Sequence, residues 1–191
     1  MKNVCGYTIE DYITKIEKFH GHLAPGLLIG GFMVDLAQNN RPEGEFFDVL
    51  CETSVCLPDA IQILTPCTYG NGWLKVINIG RFALAIFEKQ SGKGVRVYLD
   101  AKKLHEYPEI KNWFLKLKPK KEQDTDKLIH EIIAAGNAIL GMKPIIVDKS
   151  LIGNSKGGMI GICPACGEAY PVKDGSQCLA CQGMIIYSSA R

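Results

Sequence analysis

Cys163-Pro-Ala-Cys166 and Cys178-Leu-Ala-Cys181 are the residues that most narrow what this chain can fold into. Two C-x-x-C pairs bring four thiolates within reach of one tetrahedral centre, the ligand set of a closed structural Zn²⁺ site. The 11 residues between the pairs suffice for a tight hairpin. Gly167 directly follows one pair, and Gly183 lies two residues beyond the other. Glycine there permits the turn that aims amide N–H groups at sulfur. Two disulfides, or a redox-active C-x-x-C, are the competing readings of the same spacing.

A length of 191 residues suits one medium domain with a small module attached. Apolar residues make up 47% of the chain, enough for a sizeable core. That makes a disulfide scaffold a poor match for the eight cysteines, half of which the two pairs take up. No run reaches the length of a membrane span. Leu27 to Leu36 is short and interrupted by two glycines and Asp35, so it reads as a buried helix. Met1-Lys2-Asn3-Val4-Cys5 lacks the apolar core of a signal peptide, and a cytoplasmic location is expected. The net charge of +2 gives no general bias toward nucleic acid.

Thr8-Ile-Glu-Asp11 is a capping sequence, and Ile9, Tyr12, Ile13, Ile16 and Phe19 follow at helical spacing. That helix delivers His20-Gly21-His22 at its end. Pro25-Gly26 opens a second helix running to about Gln38. Cys51 to Val55 is expected as a strand, and Pro58-Asp59 starts a short helix holding Ala60, Ile61 and Leu64. The stretch Thr65 to Gly72 is dense in turn residues. Strands are expected over Leu74–Ile79, Phe82–Lys89 and Val95–Leu99, the last two joined at Ser91-Gly-Lys-Gly94. A charged helical stretch should run from Asp100 to about Lys118, and an amphipathic helix from Thr125 to Leu140. Ile145 to Val147 reads as a strand or an extended connection. Gly153 to Gly158 is the linker candidate. The expected fold is α+β, an antiparallel or mixed sheet packed with helices, spanning residues 1–150. A zinc ribbon of treble-clef or knuckle type follows at residues 155–191.

The core holds a second group of metal-competent side chains. His20 and His22 share one turn, Cys56 and Asp59 flank a corner, and Cys67 lies in the glycine-rich loop with Thr68 and Asn71. Imidazole and thiolate suit Zn²⁺ or another late first-row ion, and three ligands with an open position would make the site catalytic or sensory. The plainer alternative is that the cysteines are small buried hydrophobes and the histidines cap carbonyls. Cys5 and Cys51 have no matching partners and read as packing residues. His105 and His130 lie on charged, solvated stretches.

Three motifs in order carry a family resemblance: Phe19-His-Gly-His-Leu-Ala-Pro-Gly26, Glu52-Thr-Ser-Val-Cys-Leu-Pro-Asp-Ala-Ile-Gln62 and Cys67-Thr-Tyr-Gly-Asn-Gly72. Gly80-Arg-Phe-Ala83 and Gly94-Val-Arg-Val97 fit the same pattern. Together they resemble the FmdE family, the E-type subunits of formylmethanofuran dehydrogenase, over roughly residues 8 to 140. The resemblance implies an intertwined homodimer of α+β cores, some members carrying a zinc finger. It also implies a pocket around His20, His22 and the Cys67 loop that holds a second metal ion. Many relatives carry cysteine before Pro-Gly in the first motif, where this chain has Ala24, which removes one possible ligand of that pocket here. The parent complex works with molybdenum or tungsten on a pterin held by its other components, so the resemblance is to a non-catalytic subunit.

Three uses follow. The first is a metal-binding accessory protein, a homodimer associated with a molybdenum or tungsten oxidoreductase, with His20, His22, Cys56 and Cys67 on the metal. Asp59 would orient an imidazole, and Thr68 and Asn71 would bond to an anion or water. The second is an interaction or regulatory module, metal-sensing or nucleic-acid-binding, acting through the ribbon. Residues 151–191 carry Lys156, Lys173 and Arg191 against Glu168 and Asp174, a net +1 that favours protein contact over nucleic acid. Lys116 to Lys121 is more basic, but the acids Glu122, Asp124 and Asp126 follow at once, as on a solvated connection. The third is an enzyme with Cys67 as nucleophile beside a histidine. No phosphate-binding loop or serine elbow supports it.

Overall fold

Ten of the 15 residues of α2 (Pro25–Asn39) are buried, and the rest of the larger unit is arranged around this helix. The computed structural model describes residues 2–152 and 158–187. The chain divides into two compact units at Gly153–Asn154. The expected linker lies, except for Gly158, outside the described residues.

The larger unit starts with a short hairpin, β1 (Asn3–Val4) with β2 (Tyr7–Thr8), which the sequence did not announce. Helix α1 (Ile9–His20) begins as its capping sequence requires: Thr8 Oγ1 accepts the Asp11 N–H at 3.1 Å. It buries Ile9, Tyr12 and Ile16. It ends at Gly21, whose φ of 90° lets its N–H return to the Glu17 carbonyl. A Cβ on Gly31 of α2 would stand inside the Tyr12 ring, and one on Gly30 would meet Ala60 Cβ at 2.7 Å. These two glycines are what allow α1 and the next helix, α3 (Leu57–Leu64), to approach α2 so closely.

One five-stranded sheet packs on these helices in the order β4-β3-β5-β6-β7. Its members are β3 (Phe47–Cys51), β4 (Leu74–Val76), β5 (Ala83–Glu88), β6 (Lys93–Leu99) and β7 (Leu140–Ile146). Only β3 and β4 run parallel, with α3 as their crossover, so the sheet is mixed. Residues Val49, Leu84, Ile86, Val95 and Val97 join the helices in a single core. This is the α+β fold expected.

Several boundaries differ from the sequence reading. The strand expected over Cys51–Val55 is Phe47–Cys51; residues 52–56 form the turn into α3. Pairing of Phe47 with Glu88 and Val49 with Leu74 fixes that register. The helix expected over Asp100–Lys118 divides into a 3₁₀ segment, Ala101–Glu106, and α4 (Pro108–Phe114), because Pro108 restarts the helix. Helix α5 (Thr125–Ala135) stops at Gly136, with φ of 54°. A 3₁₀ turn then feeds Leu140 into β7, a full strand rather than the short extension expected near Ile145.

The smaller unit contains β8 (Ile160–Ile162) paired with β9 (Ala169–Pro171), and the loops that carry the cysteines. Among the described residues, no helix is long and apolar enough to cross a membrane.

Candidate metal centre and core corner

Cys163, Cys166, Cys178 and Cys181 bring their sulfurs within 4.8 Å of one another. Cys166 Sγ and Cys178 Sγ are 3.8 Å apart, the edge of a tetrahedron with Zn–S bonds of about 2.3 Å. All eight cysteines are free, which removes the disulfide reading. The turns do what the glycines predicted. Gly167 has φ of 79° and its N–H bonds the Cys163 carbonyl at 2.8 Å, closing the first knuckle. The Cys178 N–H points at Cys163 Sγ at 3.4 Å. That hydrogen bond, helped by others from the Cys166 and Ala165 amides, pulls the Cys163 thiol down to about 6. Cys181 responds the other way: the hydrogen bonds its thiol donates to Cys178 and then to Cys166, together with burial, push it up to about 12. Four thiolates so close repel one another, and a divalent cation between them removes the conflict. The donor set therefore fits zinc.

The core set is arranged differently. At the end of α1, His20 Nδ1 lies 2.7 Å from Asp59 Oδ2 on the first turn of α3. A carboxylate holding Nδ1–H leaves Nε2 as the free acceptor. The His22 ring sits 4.9 Å from that of His20. Cys56 occupies the same corner through an unusual backbone: φ is 58° and ψ is −52°, and the Leu57 N–H reaches back to the Val55 carbonyl at 2.6 Å. That is a γ-turn of the strained kind, uncommon for a residue with a side chain. The turn presses Cys56 on the start of α2, where a Cβ on Gly26 would stand 2.8 Å from Cys56 Cβ and 3.0 Å from its Sγ. Phe82 closes the other side of Gly26 and packs edge-on against Phe114.

Cys67, Thr68 and Asn71 do not join this corner. Cys56 precedes α3 and Cys67 follows it, which puts the eight-residue helix between them, about 12 Å of rise. Cys67 instead lies beside the start of β3, with its Sγ 3.7 Å from the Phe47 carbonyl. Thr68 and Asn71 are used within their own loop. Asn71 Oδ1 accepts the N–H groups of Thr68 and Trp73, each at 3.0 Å, and Thr68 Oγ1 accepts the Asn71 N–H at 3.1 Å. The set predicted as one site is thus two. Among the described residues, the zinc cluster is the one group of three or more His, Cys, Asp or Glu side chains with converging ligand atoms.

Neither core cysteine has the lowered thiol of an activated nucleophile: burial, with the Asp59 charge second, raises Cys56, and burial also raises Cys67. Cys51 is fully buried and Cys5 half-buried, both in or against the apolar core, as packing residues should be. His105 and His130 are exposed, each bonded by Nδ1 to a carbonyl of its own segment. Sequence reasoning missed Arg96, which grips the buried Glu52 carboxylate with two bonds of 2.5 and 2.8 Å just before the Cys56 turn. Glu52 and Arg96 both stand in the family motifs, and a buried acid in a motif is the signal that asks for a basic partner.

Comparison with known proteins follows the same division. Residues 19–147 match the family described as "FmdE, Molybdenum formylmethanofuran dehydrogenase operon", and residues 154–188 match "FmdE treble clef zinc finger". The crystal structure of a tungsten formylmethanofuran dehydrogenase FmdE-like protein from Syntrophus aciditrophicus is 49% identical, with a TM-score of 0.91 over 98% of each chain. A probable S-adenosyl-L-methionine-binding protein of Archaeoglobus fulgidus is 32% identical over 103 residues. The match takes in 50% of this chain, which spans only 28% of that relative's length.

Proposed function

Because the chain belongs to the FmdE family, matched across residues 19–147, we propose that it is a metal-binding accessory protein of a molybdenum or tungsten oxidoreductase. In this reading the finger's zinc is structural, the protein works as a homodimer in the cytoplasm, and the His20–His22–Cys56 corner is the functional part of the core. The observation that carries it is the 2.7 Å bond from His20 Nδ1 to Asp59. It fixes the tautomer in which Nε2 is available to a metal ion. Ala24 offers no ligand, and Cys67 is held elsewhere by α3. A second ion would therefore rest on His20, His22 and Cys56, with further ligands from a partner or solvent.

Cobalt substitution tests this. Wild-type protein should take up a tightly held, thiolate-bound Co²⁺ and a second, weaker one; His20→Ala should lose only the second. Equal uptake by both proteins would sink the core-metal reading and leave the finger's zinc untouched. Light scattering gives the number of protomers, and a monomer at micromolar concentration would remove the homodimer.

One observation favours a second use, protein contact through the finger. Met159, Ile160, Ile162, Met184, Ile185 and Ile186 are all exposed on the small unit, an unusual concentration of apolar surface for so few residues. Removal of residues 153–191 tests it: a dimer that falls apart supports the contact, and an intact dimer argues against it.

A further inference from the structure

The Cys67 thiol borders a cavity of about 220 Å³, lined among others by Arg41, Phe46, Phe47, Trp73 and Lys89. An apolar cavity of about 150 Å³ is enough to hold benzene, so this one admits a ring or a fused pair. Its wall is mixed, with Val49 and Ile86 joining the aromatic rings beside the polar Gln38, Glu45 and Thr65, and both of its cations are held over rings. The Arg41 guanidinium carbon is 4.7 Å from the centroid of Phe47, and Lys89 Nζ is 4.9 Å from that of Trp73.

The two cations are not equivalent. Lys89 Nζ is 3.1 Å from Asp48 Oδ1, and that carboxylate is wholly buried. It makes no hydrogen bond of good geometry, so Lys89 is its main compensation and its charge is committed. Arg41 makes no ion pair among the described residues. Glu45, the acid on the same lining, is exposed and paired with neither cation. The exposed Arg41 guanidinium rests over Phe47 and still has its donors to offer, which is the arrangement that recognises a carboxylate, sulfonate or phosphate. Cys67, buried and kept as a neutral thiol, adds soft apolar surface rather than charge.

We infer that this cavity binds a small planar aromatic anion, its ring against Trp73 and Phe47 and its acid group on Arg41. The site shares no residue with the His20–Asp59 corner, so the two stand or fall separately.

Naphthalene-1-sulfonate and its neutral analogue naphthalene-1-sulfonamide are suitable probes. The chain has two tryptophans, so a Trp113→Phe background leaves the Trp73 indole N–H as a single reporter by NMR. The sulfonate should shift that resonance and bind about tenfold tighter than the sulfonamide, the worth of one charge-assisted contact. Arg41→Gln should erase the preference while leaving the sulfonamide's affinity within about twofold. Cys67→Phe should fill the cavity and exclude both probes. Phe46→Ala, at an exposed position, keeps the test open if Cys67→Phe misfolds, and should weaken both probes. An unshifted Trp73, an anion preference that survives Arg41→Gln, or affinities unmoved by Phe46→Ala would overturn the proposal.

Discussion

The two units of this chain are held together by different physics. In the larger one, side chains from α1, α2, α3, α5 and the sheet form one continuous buried cluster, with Tyr12, Ile16, Leu27, Leu28 and Met33 fully excluded from water. In the smaller one, Cys163 and Tyr170 are the buried apolar residues among those described, while most of its large aliphatic side chains face outward. One unit folds by removing apolar surface from water. The other has too little to remove, and depends on four sulfurs and the ion they hold. The comparison also assigns roles: the unit with its own core can carry a strained corner such as Cys56, and the metal-dependent unit cannot spare stability for one.

Removing the metal should separate the two most sharply. Structural zinc contributes on the order of 10 kcal/mol to folding in modules of this size. Chelation, or Cys178→Ser, is expected to collapse the NMR signals of residues 158–187 to random-coil positions while those of the core stay in place. If the core signals collapse as well, the two units are one folding system and the comparison fails.

The reverse experiment strikes the core alone. Arg96→Met leaves the buried Glu52 carboxylate without its two-pronged partner, and a broken buried pair costs about 3 to 5 kcal/mol. Urea unfolding followed on core signals should show the loss, with zinc affinity of the finger unchanged. The pair also has a pH signature. Hydrogen bonding to Arg96 holds the Glu52 carboxyl below its ordinary range. Its contribution is then complete above the unfolded carboxyl value, about 4.3, and is lost as pH falls through the lower folded value. Wild-type core stability should decline in that acid window, and the Arg96→Met protein should decline less.

How much of this was legible beforehand depended on how local the cause was. The cysteine quartet and the Thr8 cap are short-range patterns, and the chain adopts both. The strand misplaced onto Cys51–Val55 was set by partners far along the chain, Leu74 and Glu88, which no local periodicity reveals. The division of Cys56 from Cys67 was half legible: the short helix that parts them was expected, but that it would carry Cys67 to the start of β3 was not. The Arg41 cavity was invisible because its walls come from four separated segments.

A smaller effect tests whether the Cys56 corner is strained for a reason. Gly26→Ala places a methyl group 2.8 Å from Cys56 Cβ, so the γ-turn or the start of α2 must yield. A loss of about 1 to 3 kcal/mol is expected, with the finger's zinc affinity unaffected. Because the collision falls on Cys56, uptake of the weaker second Co²⁺ should fall with it. Full uptake in a destabilised protein would make the corner a packing feature alone.

The smallest expected effect on stability is the most informative about function. His20 and Asp59 are about a quarter and a third exposed, so solvent screens the pair and its contribution to folding is below about 1 kcal/mol. His20→Ala should therefore unfold at nearly the wild-type urea concentration, and His20→Gln likewise. Gln can still bond Asp59 but has no imidazole nitrogen to offer a metal. If the corner serves the core's fold, Gln rescues whatever Ala loses. If it serves a ligand, both variants keep the fold and both lose the weaker cobalt site, while the thiolate-bound cobalt of the finger stays as it was.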